Sequence, residues 1–150
     1  MDELCISKKQ NLWLWTAVSR YTTTCGGLST GQVLACASAD RGWKIAAKVH
    51  GALPQRYRRR TVYTDGYGAY SALFAPWQHR LCQRYDGGTC TVEGVNNSLR
   101  HRCSFLVRRH CGPRCGQGLR QRLAFAIAAH NRACQKRWNK KQAKSTQSGE

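Results

Sequence analysis

Residues 12–18 read Leu-Trp-Leu-Trp-Thr-Ala-Val, a near-continuous apolar run with two indole side chains. A short apolar run rich in aromatic residues is typical of a buried strand. Residues 2–6 are half apolar and predict a strand before it, with the polar residues 7–11 as the turn between them. Residues 32–39 predict a third strand. The three strands together suggest an antiparallel meander.

The rest of the chain alternates between helical and strand patterns. Residues 41–53 place apolar side chains at roughly helical spacing, and residues 60–65 predict a short strand rich in β-branched and aromatic residues. A helix, a strand and two more helices are predicted further on, at residues 66–73, 79–85, 91–108 and 119–134. We therefore predict one α/β domain over residues 1–134, a mixed sheet flanked by helices, followed by a basic disordered tail over residues 135–150.

The charge balance predicts an anionic partner. The chain has 25 Lys and Arg against 7 Asp and Glu, a formal net charge of +18, and the cations are spread from end to end. A field of this sign attracts a polyanion and favours nucleic acid. Charge alone leaves DNA and RNA open. An Arg-rich coding bias is the alternative that requires no partner.

The apolar pattern predicts a protein without a membrane partner. No apolar run approaches the roughly 20 residues of a membrane span. The opening residues MDELCISKK lack the apolar core of a secretory signal. We therefore expect a cytoplasmic protein, associated with the nucleoid if DNA is its partner.

The nine cysteines leave two interpretations open. His110, Cys111 and Cys115 lie close together and could contribute to a zinc site, but the remaining ligands would come from cysteines at no recognised spacing. Free thiols in a reducing compartment are the expected state. We predict that the cysteines hold no stoichiometric metal.

Three acidic residues stand where carboxylates could converge. Asp65 closes a predicted strand beside Gly66, Asp2 opens the first strand, and Glu93 lies near the start of a predicted helix. Three adjacent carboxylates repel one another unless a cation holds them, and hard oxygen ligands favour Mg²⁺ or Mn²⁺. Each acid also has a structural alternative: Asp65 as a helix cap, Glu93 as a partner of the helix dipole, and Asp2 as a solvated residue.

Several sequence blocks resemble one family of DNA transposases. The blocks MDEL at 1–4, YTDGYGAY at 63–70 and VEGVNNSLRHR at 92–102 are similar to the catalytic blocks of InsB-type transposases of the insertion sequence one family. The Trp-rich run at 12–18 also lies where that family has its second strand. The likeness covers roughly residues 1–108, and the third block is its most specific part.

The resemblance implies an RNase H-like fold with a DDE active site. Asp2, Asp65 and Glu93 correspond to the catalytic acids that bind Mg²⁺ or Mn²⁺. Three residues of the third block correspond to a polar helix face that contacts DNA or positions the glutamate: Asn96, Asn97 and Arg100. The implied function is metal-dependent cleavage and strand transfer at the ends of an insertion sequence.

The chain also departs from the family pattern. Gly94 stands where family members usually carry Arg, the first strand is clipped to a single residue before Asp2, and the C-terminal third is rich in Arg and Cys. The implied partners are DNA, an upstream-encoded zinc and helix-turn-helix DNA-binding region, and a second copy of the chain in a homo-oligomer. The alternative function is an inactive transposase remnant or a non-catalytic basic protein that binds nucleic acid.

Overall fold

Antiparallel pairing joins the three apolar strands in chain order, as the sequence predicts. The computed structural model describes residues 1–7, 12–20, 31–40, 42–82, 89–103, 106 and 117–147. The three strands are β1 (Asp2–Ser7), β2 (Leu12–Val18) and β3 (Val33–Ala39). In the register, Asp2 lies opposite Thr16 on β2. β2 is the central strand and pairs along both edges.

Two shorter strands form a separate parallel pair. They are β4 (Val62–Thr64) and β5 (His79–Leu81), which the sequence predicts as longer strands over 60–65 and 79–85. Residues 83–85 of the second prediction lie outside the described residues. The backbone nitrogen of Met1 donates to the Tyr63 carbonyl oxygen at 2.6 Å. This bond places the start of β1 beside β4.

Four helices lie in the described ranges. They are α1 (Trp43–Gly51), α2 (Gln55–Arg58), α3 (Cys90–Arg102) and α4 (Gln117–Gln147). The sequence patterns predict the first, third and fourth of these. The short α2 follows Pro54, whose fixed φ suits the residue just before a helix. The architecture is therefore mixed α/β, with two small sheets and helices between and after the strands.

The stretch predicted as a helix over 66–73 is instead a series of turns, so that prediction is wrong. Tyr70 N–H bonds the Tyr67 carbonyl at 3.2 Å, and Leu73 N–H bonds the Tyr70 carbonyl at 3.0 Å. Both bonds span three residues rather than four. Gly66 and Gly68 lower the helix propensity of the segment, and packing of its aromatic residues then determines its path.

The predicted helix over 91–108 ends earlier, at Arg102. Cys103 is extended, with φ −121° and ψ 93°, and three basic residues occupy the last turn: Arg100, His101 and Arg102. Cations in a last turn interact favourably with the partial negative charge of the helix C-terminus. Residues 104–105 and 107–108 of the prediction lie outside the described residues.

α4 continues beyond the predicted end at Cys134 and runs to Gln147. Residues 135–147 are therefore helical in the structure, where the sequence predicts a disordered tail. This stretch is polar, but it is built largely from Gln, Lys, Arg and Ala, which are good helix formers. Polarity does not distinguish the two states, because a solvated helix is as polar as a disordered segment. Residues 148–150 lie outside the described residues.

One face of the meander packs against α1 and the 67–74 turns. Trp15 is fully buried there, and its indole N–H donates to the Asp40 carbonyl at 3.2 Å. Its ring lies 5.8 Å from Tyr70 and 6.2 Å from Tyr67, centroid to centroid. α1 contributes Val49, which is also fully buried. This aromatic cluster is the first of two cores.

The opposite face of the meander packs against α3 and α4. Leu14 and Val33 from the sheet meet Val95 and Leu99 of α3, together with Leu123 of α4. Successive side chains of a strand point to opposite faces, so β2 sends one set of apolar side chains into each core. Burial on both faces is why residues 12–18 read as a continuous apolar run rather than as an alternating one.

Candidate active site

Asp65 follows the last residue of β4 and shapes the turn after it. Its Oδ1 accepts the Tyr67 backbone N–H at 3.2 Å, a side-chain-to-backbone bond typical of turns that begin with Asp. The side chain is half-buried. This bond is the structural role expected for an acid at a strand end, and it holds the carboxylate at the edge of the sheet.

His79 on β5 lies beside the end of β4. Its Nε2 is 2.6 Å from the hydroxyl of Thr64, which is fully buried and directly precedes Asp65. The Thr64 hydroxyl donates to the Asp65 carbonyl at 3.0 Å, so the imidazole N–H is the donor in the shorter contact. Burial lowers the pKa of His79, and the positive charge of the Met1 amino group lowers it further. Sequence reasoning missed this neutral imidazole, which supports the strand end that carries Asp65.

Glu93 lies on the exposed side of the first turn of α3. Its Oε1 accepts the hydroxyl hydrogen of Thr89, the residue before the helix, at 2.7 Å. A negative charge in a first turn is stabilised by the helix dipole. The structure thus places Glu93 in solvent reach and also gives it a local structural partner.

The start of β1 is the position of Asp2. Its backbone pairs with Thr16, and the preceding nitrogen bonds β4, but its side chain lies outside the described part of the structure. Because neighbouring Cα atoms are about 3.8 Å apart, the bond from Met1 to Tyr63 limits the Cα atoms of Asp2 and Asp65 to a separation of roughly 15 Å at most.

α3 is fastened to the sheet close to Glu93. The Thr16 hydroxyl donates to Asn96 Oδ1 at 3.2 Å, and both side chains are buried, with exposed fractions of 0% and 3%. Asn96 follows Glu93 by three residues, which is a rise of about 4.5 Å along the helix. The residue opposite Thr16 in the register is Asp2. The first turns of α3 therefore adjoin the start of β1.

Burial separates the three residues of the polar helix face. Asn96 is enclosed between α3 and β2, so the expected DNA contact does not fit it, and positioning of α3 is the role its contact supports. Asn97 is exposed and Arg100 is half-buried. A contact of these two residues with DNA stays a prediction.

Carboxylate oxygens match the preference of Mg²⁺ and Mn²⁺, so the donor set of the predicted site suits such an ion. Among the His, Cys, Asp and Glu side chains that the structure describes, no group of three is placed to hold a metal ion. The predicted triad includes Asp2, whose side chain lies outside that set. The assignment of Asp2, Asp65 and Glu93 as metal ligands stays a prediction. The expectation that the cysteines hold no stoichiometric metal also stays a prediction, because residues 110–115 lie outside the described residues.

A buried His and Cys pair on α4 was not recognised in the sequence. His130 Nε2 donates to the Gly31 carbonyl at 2.9 Å and lies 3.4 Å from Cys134 Sγ. Both residues are 3% exposed. Their spacing of four residues on one predicted helix was the available signal. Their contacts with Gly31 fasten α4 to the loop before β3.

An open pocket of about 450 Å³ lies between the end of α3 and α4. Its wall includes Arg102, Arg122, Phe125 and His130. The Nδ1 atom of His130 is buried and has no hydrogen-bond partner among the described residues. The residues that line this pocket do not include the predicted acids.

Comparisons with models of known protein families, with curated proteins and with solved structures find no match for this chain. None of the helices in the described ranges has an apolar stretch long enough to cross a bilayer.

Proposed function

We propose that this chain is the catalytic region of a DDE-type DNA transposase, with Asp2, Asp65 and Glu93 as its acids. The observation that carries the proposal is how the elements bearing these residues meet. Met1 N bonds Tyr63 O at 2.6 Å, which joins the start of β1 to β4. The Thr16 and Asn96 bond joins the early turns of α3 to the strand paired with β1.

An RNase H-like fold is part of the proposal. Its support is the mixed arrangement of the strands: an antiparallel meander with a parallel pair beside its first strand. Helices pack on both faces of the meander, α1 on one and α3 with α4 on the other. The resemblance of the three sequence blocks implies the same architecture.

The residues of the site have separate roles in this proposal. Asp2, Asp65 and Glu93 would hold Mg²⁺ or Mn²⁺, which would activate a water or the 3′-hydroxyl of DNA and stabilise the leaving oxygen of the phosphodiester. The carboxylates of Asp65 and Glu93 offer charged oxygens at the end of β4 and the first turn of α3. Arg100 lies on the same helix as Glu93, about two turns beyond it, where it would meet a phosphate. Asn96 holds α3 against β2 and so fixes the position of the helix that carries Glu93.

The net charge of +18 supports DNA as the substrate. A polyanion gains from neutralisation by Lys and Arg and releases condensed counterions as it binds. Exposed cations are present on every helix of the described ranges, so the field is not confined to one end of the chain.

A second function, a transposase remnant or another basic protein that binds nucleic acid without cleaving it, has an observation in its favour. The Asp65 and Glu93 carboxylates each accept a local hydrogen bond, from Tyr67 N–H and from the Thr89 hydroxyl. These two bonds explain both acids as a turn former and as a first-turn residue without any catalysis.

Nicking of supercoiled plasmid DNA in the presence of Mg²⁺ or Mn²⁺ distinguishes the two functions. The chain is assayed alone and joined to a DNA-binding region that recognises element ends. Asp2→Asn, Asp65→Asn and Glu93→Gln are each expected to lower the nicking rate by orders of magnitude while DNA binding is kept, because metal ligands act as a unit.

The matched control is Asp40→Asn, which removes one exposed carboxylate. Asp40 follows β3 and lies outside the strands and the helix that carry the three proposed acids. It is expected to keep the parent's rate. A parent that nicks while Glu93→Gln leaves its rate unchanged would show that the triad is wrong. A parent that binds DNA but does not nick in either form supports the non-catalytic alternative.

A further inference from the structure

α4 concentrates positive charge along one long helix. Its 31 residues, Gln117–Gln147, contain eight Lys and Arg and no Asp or Glu. The whole chain has seven acids, and none of them lies in this helix, which is the longest helix of the described ranges. The helix has no internal anion to pair with its cations.

Four of these cations form a single row. They stand four residues apart, and each of their side chains is exposed: Arg132, Lys136, Lys140 and Lys144. Residues four apart on a helix are neighbours on one inclined ridge of its surface. We call these four residues the basic row.

The basic row and the packed side of α4 are different faces. The packed side is formed by Leu123, Ile127, His130 and Cys134, which are all buried. At about 100° per residue, Arg132 and Lys136 lie more than a quarter turn away from these residues. The described side chains beyond Trp138 are exposed, so the far end of the row extends past the packed part of the helix.

The basic row carries a repulsion that an anion would relieve. Like charges four residues apart destabilise a helix, and Arg132, Lys136 and Lys140 form two such pairs in succession. A surface helix that merely stays in solution usually mixes both signs on its exposed face. Phosphates brought against the row would convert these repulsive pairs into favourable ones.

The dimensions of the row suit a phosphate backbone. Four residues rise about 6 Å along a helix, and the row from Arg132 to Lys144 therefore spans about 18 Å. Phosphates of duplex DNA recur every ~3.4 Å of axis on each strand. The row is thus as long as about five phosphates of one strand measured along the DNA axis, and the flexible Lys and Arg stems let its cations reach separate phosphates.

We propose that the basic row of α4 is a docking surface for the sugar-phosphate backbone of duplex DNA. It goes beyond the proposed catalysis, because it assigns the holding of DNA to a helix other than the one that carries Glu93. Contacts to phosphate carry no base information, so binding through this row is independent of sequence. It requires no metal ion.

The test compares two variants of the full chain that carry the same net charge. The row variant changes Arg132, Lys136, Lys140 and Lys144 to Gln, which keeps helix propensity. The control variant changes four exposed cations of α1 and the segment after α2 to Gln: Lys44, Lys48, Arg59 and Arg60. Both variants have lost four positive charges, and circular dichroism checks that each keeps its helix content.

Binding to a 30-base-pair duplex is measured in EDTA over a range of salt concentrations. The slope of log affinity against log salt should become shallower by about 3.6 in the row variant, roughly 0.9 for each lost phosphate contact. Between 50 mM and 200 mM salt, the parent should then lose about 150-fold more affinity than the row variant does. The control variant should change the slope by less than half as much.

If the slope of log affinity against log salt is the same in the two variants, the proposal is wrong, because the net positive charge of the whole protein would then explain the binding. Tighter binding of duplex RNA than of duplex DNA would also overturn it. If the row variant loses its helix content, Lys140→Gln alone decides the question, with an expected decrease in slope of about 1. Because no cleavage is measured, loss of the catalytic proposal leaves this result unaffected.

Discussion

The hydrogen bond between Thr16 and Asn96 provides the most demanding test of how α3 is held. Both side chains are buried, and their oxygens lie 3.2 Å apart between β2 and α3. Asn96→Leu removes the acceptor and leaves the Thr16 hydroxyl without this partner, while Thr16→Val does the reverse. Each change exposes one buried polar group to an apolar neighbour.

The expected magnitudes differ between single and double variants. A buried polar group that loses its partner costs about 1–3 kcal/mol, whereas replacing both partners with apolar groups of similar shape is nearly neutral. Each single variant should therefore lose about 2 kcal/mol of unfolding free energy. The double variant, Thr16→Val with Asn96→Leu, should lose only about 1–2 kcal/mol, well below the sum of about 4 kcal/mol, which corresponds to a coupling of about 2–3 kcal/mol.

Urea denaturation followed by tryptophan fluorescence measures these differences. With an m-value of about 2 kcal/mol/M, a loss of about 2 kcal/mol lowers the urea midpoint by about 1 M. The control pairs Thr16→Val with Leu at the exposed neighbour Asn97, and these two changes should add to within ~0.5 kcal/mol. Additivity of the Thr16 and Asn96 changes to the same precision would refute the account of α3 as fastened through this bond.

Three other perturbations test the core, the left-handed glycine and the histidine beside β4. Trp15→Ala should lower the unfolding free energy by about 3–5 kcal/mol in urea denaturation, because it empties a fully buried site. The control, Trp77→Ala at a side chain that is 67% exposed, should change it by less than ~0.5 kcal/mol. Similar losses in the two variants would show that the aromatic cluster is not the core. Gly31→Ala should lower the unfolding free energy by about 1–2 kcal/mol, because Gly31 has φ +87°, a left-handed conformation that alanine adopts at a cost. The cost is not steric, since the added Cβ would meet its nearest neighbour at an ordinary 3.6 Å. An unchanged melting temperature would contradict a left-handed residue at this position. The pKa of His79 in the folded protein lies below its usual 6.5, so the stability that His79 contributes is complete above pH 6.5. This contribution declines as the pH falls below that value, because the unfolded state takes up a proton first. In thermal denaturation from pH 7.5 to 5, the melting temperature of His79→Gln should decline less steeply than that of the parent, and parallel profiles would disprove this contribution.

Local pattern was enough to predict the meander and its central strand. The apolar run at 12–18 requires cover on both faces, and the structure supplies it with α1 on one side and α3 with α4 on the other. The sequence also predicted α1, because apolar side chains at helical spacing define the buried side of that helix. The field around the molecule follows from composition, since +18 is independent of how the chain folds.

Local pattern failed where polarity and propensity conflict. Residues 135–147 are polar enough to predict disorder, yet the structure continues α4 through them, because Gln, Lys, Arg and Ala favour a helix without any packing. The segment at 66–73 failed in the other direction. Its apolar spacing predicts a helix, but two glycines and the burial of Tyr70 and Phe74 beside Trp15 leave it as turns.

The candidate site depends on contacts between residues far apart in the chain. Asp65 and Glu93 could be selected from the sequence because acids are scarce and these two stand at the ends of elements. Nothing local shows that Asn96 is buried, since an amide in the middle of a polar stretch of helix reads as solvated. Its partner Thr16 lies 80 residues away.

The same limit applies to the parallel pairing of β4 with β5 and to the bond between Met1 and Tyr63. A three-residue strand is too short to show a period, and its partner is determined by which backbone groups the surrounding cores bring into reach. The sequence by itself determined the charge, the scarce acids and the doubly covered central strand, because these are properties of single residues or of short runs. Only the tertiary structure decided which strand ends meet and which polar side chains are enclosed, because hydrogen bonds between distant residues form only after the two cores have packed.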